Sequence, residues 1–280
     1  MATKQQAYKM RQRGFAQQIV MADLVKFGKI YLVPLGDFHI GNKFARIDII
    51  QGYIDWIKNH YNAYTVLMGD MMECATKYSV PDLYEALVTP DDCYDWAKKL
   101  LAPIKHKILM AVRGNHEEMI WRHSGTDYTA HLARELGDIP YKPDGGMLLM
   151  RLGDTTNHHA IASFYGTHGW GGARTVGAKV KKPEEIALAV DADIIAVAHD
   201  HTQAIHRLNV VAPPRSRVSV ERPNYLITRR RLLINTGGFV DYGGYVQRKG
   251  YVPQDLGTPR ILIEFKAGAT TRYMDYHASM

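Results

Sequence analysis

The chain is 280 residues long, 46% hydrophobic and 22% charged, with a formal net charge of +7, proportions ordinary for a soluble globular protein with a full core. No apolar run approaches the roughly 18 residues of a membrane span. The charge is concentrated: residues 202–240 hold seven arginines against Glu221, a net +6, and residues 1–30 hold six basic residues against Asp23, a net +5. Two such regions suit a polyanion such as DNA or RNA, although a charge run is usually a solvated face. The basic N-terminus (Lys4, Lys9, Arg11, Arg13) lacks a signal peptide's apolar core, because Ile19-Val20-Met21-Ala22 is cut short by Asp23, so a cytoplasmic location is expected. Cys74 and Cys93 have no metal-ligand spacing and read as two ordinary thiols.

In chain order, residues 1–28 read as an irregular helical N-terminal arm, followed by one domain over residues 29–280. Lys29 to Leu35 is a buried strand running into Gly36-Asp37-Phe38-His39-Ile40-Gly41. Asp37 and His39, two apart in an extended segment, can point to the same side, and carboxylate with imidazole suits a divalent first-row metal. Phe44 to Tyr61 has helical apolar spacing and returns the chain to a second strand, Tyr64 to Met68, which exits through Gly69-Asp70-Met71-Met72-Glu73. Pro81 to Val88 and Pro90 to Leu101 read as short helices with proline near the first turn.

The third strand, Lys107 to Val112, delivers Arg113-Gly114-Asn115-His116-Glu117 at the head of a helix. Alone, Gly-Asn-His is weak, since an Asn there can simply cap the helix. Thr126 to Leu136 is helical, and Met147 to Leu152 and His159 to Tyr165 read as an antiparallel pair ending in Gly166-Thr167-His168-Gly169. The Gly-rich stretch from Trp170 to Lys182, with Arg174, Lys179, Lys181 and Lys182, reads as a basic lid over phosphate or a plain surface loop. Pro183 to Val190 is a helix, Asp193 to Ala198 a buried strand, and its exit is His199-Asp200-His201. Mostly strands follow, near 202–211, 217–221, 225–235, 259–265 and 270.

Asp37, His39, Asp70, Asn115, His168, His199 and His201 thus all lie at or just past expected strand ends, where open sheets place their chemistry. Any one histidine has a bland structural role. Together they form a mixed oxygen and nitrogen set suited to two divalent cations about 3.5–4 Å apart. The order Asp-x-His, Gly-Asp, Gly-Asn-His-Glu, His-Gly, His-x-His resembles that of the calcineurin-like metallophosphoesterases, and the resemblance spans Lys29 to Thr236. It implies an α/β (α+β) fold, a two-sheet β-sandwich flanked by helices. It also implies that Asp37, His39 and His201 bind one metal, that Asn115, His168 and His199 bind the other, and that Asp70 bridges them. His116 matches the family's catalytic histidine. Glu73 stands where the protein-phosphatase branch places a carboxylate that orients that histidine, and where the repair-nuclease branch places a second histidine. Ala198 and Asp200 depart from the family's usual Gly and small polar residue without removing a ligand.

The expected function is hydrolysis of phosphodiester bonds by attack of a metal-bridging hydroxide, on nucleic acid as a nuclease would, with Arg113, His206 and Arg207 as candidate phosphate contacts. A phosphomonoesterase acting on a nucleotide or phosphoprotein is the alternative. A non-catalytic nucleic-acid-binding scaffold comes third, because this chain has lost none of the ligands. Mn²⁺ is the favoured ion, with Fe²⁺, Zn²⁺, Co²⁺ and Mg²⁺ open to the same donors. The strand-rich arginine segment is also suited to pack two subunits as a homodimer.

Overall fold

A computed structural model describes residues 19–74, 87–155, 158–172, 175–213, 226–244, 247, 250, 252–267 and 272–280. The expected helices at residues 1–18 and 81–86 and the strand at 217–221 lie outside these residues, as does Arg174.

The five-stranded sheet grows from parallel apolar strands. These are β2 (Lys29–Leu35), β3 (Ala63–Leu67) and β4 (Ile108–Ala111). β3 follows α1 (Ile47–Asn59), whose Ile50, Ile54 and Ile57 are buried at helical spacing. β4 follows α2 (Pro90–Leu101), where a Thr89–Asp92 capping box and Pro90 in the first turn start the helix. β10 (Arg260–Ala267) adds antiparallel to β2, and β11 (Arg272–Ser279) pairs with β10, for the order β11-β10-β2-β3-β4. The second sheet holds β1 (Val20–Leu24), β5 (Gly146–Thr155), β6 (His158–Thr167), β7 (Ile194–Val197), β8 (Gln203–Ala212) and β9 (Ile227–Thr236), in the order β1-β5-β6-β7-β9-β8.

Strand alternation builds the core. Ile30 and Leu32 of β2, Val66 of β3 and Ile261 and Ile263 of β10 pack with Leu148, Met150, Phe164, Ile194, Ala196 and Ile234 between the sheets. The opposite parity, Val33 and Leu35, packs beneath α1 and α2. On the far side the helix Lys182–Ala189 covers Ile195, Val197 and Leu233. The result is the expected two-sheet sandwich with helices on both outer faces. No helix among the described residues is long and apolar enough to cross a membrane. Cys74 and Cys93 are buried free thiols.

Two local expectations fail. Val20–Leu24 is a strand and not part of a helical arm, pairing parallel with β5 from Val20 opposite Leu148. Its two buried residues, Val20 and Leu24, are four apart, a spacing that fits one face of a helix or of a strand equally well. Within the expected loop, Val176–Val180 forms a short helix.

Because β2, β3 and β4 are mutually parallel, as are β6, β7 and β9, each set sends its exit turns to one edge of its sheet. The turns pack backbone to backbone. A Cβ on Gly69 would lie 2.5 Å from Gly114 N, and one on Gly114 would lie 2.0 Å from both the Asp70 amide nitrogen and its carboxylate. Gly114→Ala should therefore lower stability by about 3 kcal/mol through forced overpacking, read as a lower denaturant midpoint. An unchanged midpoint would mean that the turns are loosely packed.

Candidate metal centre

Five of the seven candidate ligands occupy left-handed backbone: Asp37 (φ 54°), His39 (48°), Asp70 (52°), His199 (74°) and His201 (51°). That region disfavours residues with a side chain and persists only where the surroundings over-determine it. Here they do. Asp37 N–H donates to Gly69 O at 2.9 Å, His39 N–H to Asp70 O at 3.0 Å and Glu73 N–H to Ile40 O at 3.0 Å, so the two Gly-Asp turns are tied along their length.

Glu117, which sequence reasoning did not single out, completes the frame. Its buried carboxylate accepts the backbone N–H groups of Asp70, Met72 and Gly114, each at 3.1 Å. Burial, with the neighbouring Asp70 charge, pushes its pKa up to about 7. The signal was present: a Glu at the third position of a helix entered from Gly114 is the far half of a capping box. Glu117→Gln supplies one acceptor oxygen for three donors, so it should cost about 1–3 kcal/mol and weaken metal binding. An unchanged melting temperature would remove this role.

Each buried aspartate spends one oxygen on the frame. Asp37 Oδ2 accepts from His199 N–H at 3.1 Å and Asp70 Oδ1 from His116 N–H at 2.9 Å. The second oxygens face the site. Asp37 Oδ1 is buried without a hydrogen-bond partner, 3.2 Å from His201 Nε2 and 3.9 Å from His39 Nε2. Asp70 Oδ2 lies 3.2 Å from His168 Nε2 and 3.7 Å from His39 Nε2, between the two candidate ligand groups.

The imidazoles are oriented by their other nitrogens. His39 Nδ1 meets the Glu73 carboxylate at 3.0 Å, His168 Nδ1 the Met68 carbonyl at 2.8 Å and His199 Nε2 the Gly171 carbonyl at 2.6 Å. Those acceptors take an N–H on the outward side, so the other ring nitrogens face inward. His168 Nε2 and His199 Nδ1 lie 2.8 and 2.7 Å from Asn115 Oδ1 and 3.3 Å from each other. His39 Nε2 and His201 Nε2 face each other at 3.1 Å. One proton can serve one of these contacts but not all. Burial disfavours charge on His168, yet the Asp70 carboxylate beside it raises its pKa to about 10. Asp70 is itself held well below the usual carboxylate range, because His168 and His116 outweigh the effect of burial. An orphaned carboxylate oxygen and converging ring nitrogens fit divalent cations, one at Asp37, His39 and His201 and one at Asp70, His168 and His199, where Asn115 Oδ1 also lies; His39, Asp70 and His116 form a further close group between them.

Glu73 has a different partner from the one expected. Its carboxylate binds His39 and lies 4.0 Å from His116 Nδ1. The Glu73 main-chain carbonyl holds His116 instead, accepting from Nδ1 at 2.7 Å, which leaves Nε2 on the Asp70 side at 3.9 Å. The expected phosphate contacts fall elsewhere. Arg113 is buried, paired with Asp127 at 3.0 Å and stacked on Trp121 at 4.3 Å. His206 and Arg207 lie exposed along β8, outside the cavity above the cluster. The basic lid is also corrected at two positions: Lys179 Nζ donates to Asp200 O at 2.9 Å and to Thr202 Oγ1 at 3.0 Å, and Lys182 Nζ pairs with the Asp200 carboxylate at 2.6 Å. Both are buried supports of the His199-Asp200-His201 turn, which accounts for an acid at position 200.

No protein-family model matches the sequence, and no curated protein matches it significantly. Among solved structures, the chain is similar to a predicted phosphoesterase from Streptococcus pneumoniae, at 14% identity and TM-score 0.35, covering 89% of this chain and 88% of that one. Vacuolar Protein Sorting 29 from Cryptosporidium parvum matches at 12% identity and TM-score 0.39, over 90% and 98% of the respective chains. A metallophosphoesterase from Sphaerobacter thermophilus matches at 13% identity and TM-score 0.38, over 90% and 89%. The helix-flanked two-sheet sandwich and the gathering of the candidate ligands at its strand ends are those that the sequence resemblance implies.

Proposed function

We propose that the chain is a dinuclear-metal-dependent phosphoester hydrolase that favours phosphodiesters. The observation that carries this reading is the convergence of Asn115 Oδ1, His168 Nε2 and His199 Nδ1 within 3.3 Å of one another, beside the carboxylate oxygen Asp70 Oδ2. Two divalent cations held there supply charge neutralisation at the phosphoryl oxygens and activation of water near neutral pH. The rest is work for the chain. Asp70 keeps the two ligand groups in register, while Glu73 and the carbonyls of Met68 and Gly171 fix the imidazole rings. His116, anchored through Nδ1, presents Nε2 to a substrate above Asp70. Burial lowers the pKa of His116, but the Asp70 and Glu73 charges outweigh it and raise the value; its position makes it the candidate to give a proton to the leaving oxygen.

A diester fits better than a monoester because the cavity lining includes apolar side chains besides the polar cluster, and these can receive a second ester group. The test is hydrolysis by metal-stripped protein with Mn²⁺ restored, comparing bis(p-nitrophenyl) phosphate, p-nitrophenyl phosphate and single- and double-stranded DNA. Diester turnover that depends on Mn²⁺ is expected. Monoester turnover alone would move the reading to a phosphatase, and no turnover of any substrate would remove it. At Mn²⁺ a hundredfold above the Kd of each site the folded state should gain about 2.7 kcal/mol per ion bound, seen as a higher melting temperature that a chelator reverses.

A further inference from the structure

The cavity over the candidate ligands has a volume of about 360 Å³, and its lining is of two kinds. His39, Asp70, Asn115, His116, His199 and His201 form a polar cluster. Phe44, Met119, Val240, Tyr242, Val252 and Leu256 make up an apolar share of the lining. Phe44, Val240 and Tyr242 come from separate segments that are bonded to one another. Ala45 bridges Val240, Asp241 N–H donates to Phe44 O at 2.9 Å, and Gly257 N–H donates to Gly238 O at 2.9 Å. The Phe44 ring lies against Gly243, where an added Cβ would come within 2.5 Å of it. This part of the lining is braced and not loosely placed.

Charge points the same way. Among the described residues lining the cavity, Lys179 is the one lysine or arginine, and its ammonium group is bonded to Asp200 O and Thr202 Oγ1. The arginines of β9 lie outside the cavity and are engaged with carboxylates, Arg229 and Arg231 with Asp191 and Arg230 with Asp275. An extended nucleic acid needs several cationic side chains tracking its phosphates, and among the described residues the cavity lining offers none beyond Lys179. A volume near 360 Å³ is at the small end of ligand pockets. Aromatic and thioether side chains favour a flat ring over an aliphatic chain.

We infer that Phe44, Met119 and Tyr242 form a binding wall for a base-sized aromatic group, so that the substrates are compact aryl or nucleoside phosphoesters and not extended polynucleotides. The phosphate end of this inference rests on the phosphoesterase reading; the wall does not.

The test is calorimetric titration of the Mn²⁺-loaded full chain with AMP, ribose 5-phosphate and a 5′-phosphorylated oligothymidylate, in the wild type and in Met119→Ala and Tyr242→Ala. AMP should bind at least about tenfold more tightly than ribose 5-phosphate, the gain of stacking one base. Each substitution should bring that ratio toward one while leaving ribose 5-phosphate affinity unchanged. Equal affinities in the wild type, a ratio that survives both substitutions, or an oligonucleotide that binds more tightly than AMP would each overturn the inference. Hydrolysis of bis(p-nitrophenyl) phosphate by the same preparations reads the function separately. Turnover without AMP preference would overturn the wall alone, and AMP preference without turnover would support the wall and remove the hydrolase.

Discussion

Replacing Asp70 with Asn should lower metal content from about two ions per chain to less than one and reduce diester hydrolysis by at least about 10³-fold. The substitution is nearly isosteric, so the amide oxygen can still accept the His116 N–H that Asp70 Oδ1 takes at 2.9 Å. The other position changes sign. Where Asp70 Oδ2 now lies 3.2 Å from His168 Nε2 and 3.7 Å from His39 Nε2, an NH₂ group would point its hydrogens at both imidazoles. It would also remove the negative charge that both candidate ions share. The frame should survive, because the Asp70 main chain is held by Glu117 and by His39 N–H. Metal analysis and the Mn²⁺-dependent rise in melting temperature check the claim together. Retention of one full-affinity ion would mean that Asp70 serves a single site and is not a bridge.

What made this site legible in the sequence was its repetition. Asp37, Asp70 and Asn115 each follow an apolar run and a glycine-bearing turn, and the structure places all three at the ends of parallel strands. From the second sheet, His168 follows a glycine at the end of β6, while His199 and His201 leave β7 through Ala198. What was not legible depends on distance in the sequence. Nothing local to Glu73 says whether its carboxylate reaches His39, 34 positions back, or His116 ahead of it; the left-handed turns at His39 and Asp70 decide that. Lys179 and Lys182 read as solvent-facing because lysines usually are, and only their pairing with Asp200 explains their burial. Arg113 stands beside the strongest motif, yet its side chain leaves on the Asp127 and Trp121 side. Proximity in sequence misled in the same way for Arg207, because each step along β8 carries it about 3.4 Å farther from His201.

The His116→Ala protein should keep its metal content and lose turnover by about 10²- to 10⁴-fold, the range for removing a positioned general acid. His116 lies close enough to His39 and Asp70 for the three to hold one ion, but its ring is turned by a main-chain acceptor. His116 Nδ1 is engaged by the Glu73 main-chain carbonyl at 2.7 Å, and Nε2 stands 3.9 Å from Asp70 Oδ2, toward the cavity. The ligand contacts of His168, His199 and Asn115 do not run through it. The loss should also depend on the leaving group. An alkoxide needs a proton as its bond to phosphorus breaks, whereas p-nitrophenolate leaves readily without one. The kcat for an alkyl p-nitrophenyl diester, with p-nitrophenol departing, should therefore fall less than that for a dialkyl diester. An equal fall for both substrates would assign His116 to electrostatic stabilisation of the phosphoryl group, and a halved metal content would make it a ligand.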